Sequence, residues 1–308
     1  MTVAKCGASD LPDAIRIGMH RHSLYTSPLF ADLWQCHRGV ATCWVCREDD
    51  QITAILVGVE FGKGALARFQ SMPDGLYTRV FSQGSEPGVR GRSVHTLAQA
   101  IRQAGYAKVF LSDFYGELGP LDGYQALESE TVRVAISALN WEPPDTTIRS
   151  EIRKAEREAG SIEKFDAQQH MAEFLHLMRQ TESRHKRKPK YDNEFYAALA
   201  ELAARDGHIR WLVTEQNGSL AASHIYLIDG ESALYWQSFF DKKYSFLKPN
   251  QHMLYRTAVE LASQGVKLLN LGASPADAEG LRSYKEKWGG TAKSYPLYVR
   301  KSWIGKIL

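Results

Sequence analysis

WVCREDDQITAILVGVEF, residues 44–61, and WLVTEQNGSLAASHIYLI, residues 211–228, share one plan. Each is an apolar run, a polar pair (Asp49-Asp50; Asn217-Gly218) and a second apolar run. Asn, Asp and Gly tolerate the left-handed backbone of a tight turn, so both stretches predict β-hairpins. The two also match residue by residue. Trp44, Glu48, Ala54, Phe69, Gln70, Ser71 and Asp74 recur, at a constant offset of 167, as Trp211, Glu215, Ala221, Trp236, Gln237, Ser238 and Asp241.

The parallel extends outward in both directions. Downstream, after a shift of seven residues, His95–Ala104 predicts a helix closed by Gly105, then a strand at 108–111. Its counterpart is Met253–Gln264, closed by Gly265, then a strand at 266–271. Glycine just past a helix end supplies the left-handed cap. Upstream, Pro28–Arg38 before Gly39 matches Asn193–Asp206 before Gly207. The chain therefore reads as a duplicated α/β (α+β, mixed-sheet) unit. Pro143-Pro144 interrupts both helix and strand, placing the boundary at 142/143, with lobes 1–142 and 143–308. Beyond it, Ile148, Ile152, Ala155 and Ala159 form the apolar stripe of an amphipathic helix. Its Arg149, Arg153 and Arg157 lie on an adjoining face, among Glu151, Glu156 and Glu158.

Composition narrows the class. The 308 residues are 44% hydrophobic and 24% charged, with 7 Trp, 14 Tyr and 12 Phe, which is enough for a folded core. No apolar run is long enough for a membrane span, and MTVAKCGASDLPDAIR lacks the pattern of a signal peptide. Four cysteines are too few for a disulfide framework, so a cytoplasmic location is expected. Cys43 and Cys46 have C-x-x-C spacing but no second pair, and no metal site is expected. The net charge of +3 neither demands nor excludes a polyanionic partner. The tail KSWIGKIL, residues 301–308, sets basic residues among apolar ones, as in segments that touch a membrane surface.

Four segments carry a family resemblance: IRSEIRKAEREAG (148–160), FLHLMRQTESRHKRKPKYDNEFYAAL (174–199), KPNQHMLYRTAVELASQGVKLLNLGAS (248–274) and EGLRSYKEKWGG (279–290). With the doubled order helix, hairpin, strand, helix, strand, they resemble the GNAT superfamily in its tandem form. That form includes the FemAB-like aminoacyltransferases and the cellulose-biosynthesis-type acetyltransferase domains. The resemblance covers roughly residues 140–299 and implies transfer of an acyl or aminoacyl group to an amine. The acceptor would be a cell-envelope or polysaccharide precursor, lipid- or nucleotide-linked, and DNA is not expected. The donor would be an acyl-CoA such as acetyl-CoA, or an aminoacyl-tRNA. Neither would be a tightly bound cofactor. A non-catalytic duplicated scaffold is the alternative, since fold alone does not fix function.

The resemblance also implies roles for individual residues. In a GNAT unit two parallel strands splay apart around the donor, and the next helix offers its N-terminus to an anion. The corresponding donor-side residues are Lys248, Asn250, Gln251, His252 and Tyr255. No glycine lies between Gly230 and Gly265, unlike the glycine-rich loop of coenzyme A users. In the first lobe, Gly84, Gly88, Arg90, Gly91 and Arg92 offer a loop able to hold an anion. The family's closing motif corresponds to Gly280, Tyr284-Lys285 and Trp288-Gly289. Lys285 is the expected cation beside the donor, with Tyr284 next to it. Arg184, Arg187 and Tyr191, in the densest basic run, are expected at an anionic acceptor. Tyr235, Trp236, Gln237 and Ser238 lie at a strand end where substrate would pass. His224, in mid-strand, is the candidate base. The cleft between the lobes is the expected site.

Overall fold

The hairpin turns form as their sequences require. In the computed structural model, Asp49 and Asp50 have φ of 46° and 64°, and Asn217 and Gly218 have 54° and 71°. The structure describes residues 1–82, 86–137, 140–274 and 278–307. In chain order the first elements are β1 (Thr2–Gly7), α1 (Asp13–His22), α2 (Pro28–Ala31), β2 (Gly39–Glu48), β3 (Gln51–Phe61), β4 (Arg68–Gln70) and β5 (Val80–Phe81). Then come α3 (Pro87–Gln103), β6 (Lys108–Ser112), β7 (Gln125–Ala135), α4 (Thr146–Glu158), β8 (Ile162–Lys164), α5 (Ala167–Arg184) and α6 (Asn193–Arg205). The last are β9 (Ile209–Gln216), β10 (Ser219–Asp229), β11 (Ser232–Phe240), α7 (Pro249–Ser263), β12 (Leu268–Asn270), α8 (Glu279–Lys287), β13 (Thr291–Lys301) and α9 (Trp303–Ile307).

Two compact units result: residues 1–129 with 294–308, and residues 130–293. Unit 1 orders its strands β1-β2-β3-β4-β6-β13, with β5 on β3. Unit 2 orders its own β8-β9-β10-β11-β12-β7. In each, an antiparallel hairpin leads to a third strand, and that strand pairs in parallel with the one after the helix: β4 with β6, β11 with β12. The closing strands are where this division departs from a cut at 142/143. β7 pairs with β12, Leu269 opposite Val134, which brings residues 130–142 into unit 2. β13 pairs with β6, Val299 opposite Phe110, which brings residues 294–308 into unit 1.

Side-chain oxygens set the helix starts in unit 2. Asp145 accepts from the Ile148 amide, Asp166 from Gln168 and Gln169, and Asp192 from Phe195. Such caps satisfy donors that the first helical turn leaves open. In unit 1, α3 starts eight residues earlier than its apolar pattern predicts, at Pro87, whose fixed φ suits a first helical position. Gly88, Arg90, Gly91 and Arg92 are therefore helical and form no anion-holding loop, and Gly84 lies outside the described residues. Two helical glycines cost about 1 kcal/mol each. The burial of Val94, Leu97, Ala98 and Ile101 against the sheet outweighs that cost.

In unit 2, α5 and α6 pack on one face of the sheet, where Phe174 and Tyr196 meet Trp211. The other face carries α4, α7 and α8 over a core that includes Ile152, Leu212, Tyr226, Met253, Leu261 and Trp288. The α4 stripe expected from sequence is this contact: Ile148, Ile152 and Ala155 are buried.

Candidate functional site

The parallel pairing of β11 with β12 is short. It joins Ser232, Ala233 and Leu234 to Leu268, Leu269 and Asn270 and goes no further. Tyr235 on one strand and Leu271 after the other are the first residues past the last pair, so the strands part there. Opposite Ile225 and Tyr226 of β10, the β11 register slips by one residue. Gln237 faces Ile225 and Tyr235 faces Tyr226, which leaves Trp236 as the extra residue of a β-bulge. The bulge turns Tyr235 toward α7 and leaves Trp236 and Gln237 toward α6.

Tyr235 joins a buried polar cluster. Its hydroxyl lies 3.0 Å from His224 Nε2, Asn250 Oδ1 lies 3.0 Å from the same nitrogen, and the Tyr226 hydroxyl lies 3.0 Å from Nδ1. With Asn250 Oδ1 as acceptor, Nε2 carries the hydrogen and Nδ1 accepts from Tyr226. Ser238 also hydrogen-bonds to the Tyr235 oxygen and steadies it. The Tyr235 hydrogen is then available to a group in the opening. His224 is fully buried, and desolvation pushes its pKa down to about 4, so the imidazole is neutral. Burial raises Tyr226 and Tyr235 well above the usual phenol range, repulsion from Tyr284 adds to both, and burial takes Tyr284 to about 12. All three stay protonated at neutral pH.

Lys285 stands on the other strand's side of the opening. It is 4% exposed, and its ammonium donates to the carbonyls of Gly272 and Ala273 at 2.8 Å each. Those carbonyls follow β12 directly. Asn270 shapes this segment, accepting from the Gly272 amide at 2.8 Å and from the Thr131 hydroxyl at 2.5 Å. Among the described residues no carboxylate pairs with Lys285. Desolvation lowers its pKa to about 8, and an ammonium has three donors, of which two are used.

The remaining residues expected at the donor diverge around α7, as a 100° turn per residue dictates. Lys248 and Gln251 face α4, where Glu151 lies 2.6 Å from the Lys248 ammonium and accepts from Gln251 at 3.0 Å. Asn250 faces His224. His252 lines a separate pocket of about 640 Å³ with Glu156, Lys164, Arg210, Arg256 and Glu260, and burial lowers its pKa. Tyr255 packs 6.2 Å from the Trp141 ring, itself stacked on Trp288, and Tyr284 lies against Trp288.

The residues expected at the acceptor also separate. Arg184 lies over the Phe240 ring at 4.3 Å and donates to the Phe240 carbonyl at 3.1 Å. Arg187 is exposed and pairs with Glu182 at 3.0 Å. Tyr191 is buried, stacked on Phe195 at 3.8 Å, with Trp236 at 6.0 Å. Gln237 accepts from the Tyr196 hydroxyl at 2.9 Å. His224, Tyr235, Ser238 and Asn250 thus come together, with Tyr284 beside them. Glu151, Tyr226 and Asn270 join these contacts, and the sequence did not single them out. Only the i, i+2 spacing of His224 and Tyr226 on one strand face offered a signal.

Residues 145–286 match the family model described as "Acetyltransferase (GNAT) domain". FemX superposes with a TM-score of 0.71 at 12% identity, covering 96% of this chain and 97% of that one. The C-terminal domain of a putative lysylphosphatidylglycerol synthetase from Agrobacterium fabrum gives 0.62 at 14% identity, over 96% and 94%. A tandem GNAT protein from the clavulanic acid biosynthesis pathway gives 0.51 at 10%, over 97% and 98%. A search of curated protein sequences returned no match. The chain therefore has the tandem GNAT, FemAB-like fold, and its second unit holds the segment that matches the acetyltransferase domain. No described helix is long and apolar enough to cross a membrane.

Proposed function

We propose that unit 2 is an acyltransfer centre, moving an acyl or aminoacyl group to an amine. The observation that carries this reading is the opening between β11 and β12, flanked by the Tyr235 hydroxyl and the Lys285 ammonium. The acceptor amine attacks the donor carbonyl, forming the C–N bond and placing the carbonyl electrons on oxygen. Tyr235, held by His224 and Ser238, donates to that oxyanion, and Lys285 supplies positive charge at the same place. Collapse of the intermediate expels the thiolate or ribose oxygen of the donor, and the amine proton passes to the leaving group or water. His224 positions Tyr235, because a buried imidazole with a pKa near 4 is a poor base. The exposed basic run from His185 to Lys190 would hold the anionic part of an envelope precursor, a class in keeping with the FemX and lysylphosphatidylglycerol synthetase likeness.

Aminoacyl-tRNA is favoured over acyl-CoA as donor by Glu151. Its carboxylate already engages Lys248 and Gln251 at the first turn of α7, where a coenzyme A diphosphate would sit. The test supplies purified protein with acetyl-CoA or with charged tRNA, plus an amine-bearing nucleotide-linked muropeptide, and reads the acceptor by mass spectrometry. Mass gain with charged tRNA, lost in Lys285→Met, is expected. Acetyl gain from acetyl-CoA would reverse the donor assignment. No gain from either would favour the scaffold.

A further inference from the structure

Unit 1 carries a helix packed with its smallest residue inward. In α9, Gly305 is buried while Trp303 and Ile307 are 74% and 79% exposed. Those two are four residues apart and share one face. Their outward aim is fixed by the backbone: a Cβ on Gly305 would come within 2.0 Å of the Ala107 carbonyl oxygen. The Ser302 amide donates to that same carbonyl at 2.9 Å, and the Ser302 hydroxyl accepts from the Gly305 amide at 3.1 Å. Against α9 lies the 3-10 turn Gly64–Leu66, whose Leu66 is 54% exposed. Leu66 thus adds a third exposed apolar side chain on an element that adjoins α9.

The charges of the two segments that carry them have one sign. Residues 62–68 and 301–307 contain Lys63, Arg68, Lys301 and Lys306 and no Asp or Glu. Lys108 stands opposite Lys301 across β6 and β13. Glu60, just before the turn, is committed to Lys5 at 2.9 Å. An exposed tryptophan with exposed aliphatic side chains, on segments whose charges are all basic, matches a lipid interface, where the indole sits at headgroup level and the cations meet phosphates.

We propose that this surface seats unit 1 on an anionic lipid bilayer, with Trp303, Ile307 and Leu66 entering the headgroup–acyl boundary. The docking is independent of the transfer chemistry assigned to unit 2. It is tested by co-sedimenting the full chain with vesicles of phosphatidylcholine alone, or of phosphatidylcholine with one-third phosphatidylglycerol. Binding to the anionic vesicles is expected, weakening with added salt. Lys301→Gln with Lys306→Gln should lower it roughly twenty-five-fold, since each cation near such a surface is worth about fivefold. Trp303→Ser with Ile307→Ser should abolish it without lowering the melting temperature, both side chains being exposed. Equal binding to neutral vesicles, or binding untouched by the Trp303/Ile307 pair, would overturn the proposal. So would a concentration-dependent dimer that the same pair dissolves, because the face would then belong to a second copy.

Discussion

Glu151 of α4 closes an ion pair of 2.6 Å with Lys248 at the first turn of α7, and the same carboxylate holds Gln251. A carboxylate there pairs with the lysine and also lies near the positive end of the helix dipole. Both partners are partly exposed, so the pair contributes modestly. Glu151→Ala should lower stability by about 1 kcal/mol at low salt and less at high salt. Urea unfolding at two ionic strengths measures it. The variant should also gain affinity for pyrophosphate, read as a larger thermal shift than in the native chain. Equal shifts would show that Glu151 does not stand in the place of an external anion.

Lys285 gives a pH dependence of defined sign. Its folded pKa of about 8 is below the unfolded 10.5, so the unfolded chain binds more protons between these values. Stability contributed by Lys285 is present above pH 10.5 and is lost as pH falls through 8. Native protein should therefore gain roughly 3 kcal/mol relative to Lys285→Met between pH 8 and 10.5. Denaturant midpoints of the two proteins across that range check it. In the proposed transfer the ammonium is the working form, so turnover should fall as pH rises through about 8. Lys285→Arg should move that limb out of range. A limb that stays near 8 in Lys285→Arg would assign the ionisation to another group.

His224 acts in the acid range. Its folded pKa of about 4 lies below the unfolded 6.5, so its contribution is full above pH 6.5 and is lost as pH falls toward 4. His224→Gln should flatten the loss of stability between pH 6.5 and 4. At pH 7 the variant should cost about 1–3 kcal/mol, from the hydrogen bonds that Tyr226, Tyr235 and Asn250 lose. Guanidinium unfolding at pH 5 and pH 7 separates the two effects. If His224 positions Tyr235 as proposed, kcat should fall in the variant with KM nearly unchanged.

Gly290 follows the α8 end that carries Lys285. A Cβ there would meet the Lys285 carbonyl and a Val132 methyl at 2.5 Å each. Gly290→Ala should destabilise by about 1–3 kcal/mol, since the nearest atom belongs to backbone that cannot swing away. Calorimetric melting measures the loss. An unchanged melting temperature would mean that the 285–290 turn is looser than its hydrogen bond from the Gly290 amide to the Lys285 carbonyl implies.

The fold was legible where local chemistry governs it. Asp49-Asp50 and Asn217-Gly218 announce their turns, Gly105 and Gly265 their helix ends, and the α4 stripe its buried face. What sequence could not show is long-range or depends on a single inserted residue. Nothing near β6 says that its neighbour lies at residues 297–301. The bulge at Trp236 reverses the alternation that would put Tyr235 and Gln237 on one face, and so splits the expected Tyr235–Ser238 wall. Glu151 looked like one more acid among the arginines of α4. Only the packing of α4 on α7 turns it to Lys248. Lys285 was legible as a candidate from its motif, but its carbonyl partners and burial were not.

The way each sheet is closed sets an order in time. During synthesis the edge of β6 stays open until residues 297–301 emerge, nearly two hundred positions later. Non-local pairing of this kind slows folding, and an open edge invites association with other chains. The segment 145–286, cut out alone, would likewise lack residues 133–135 and leave β12 uncovered on one side. A fragment drawn to the acetyltransferase match would therefore be made without a strand of its own sheet.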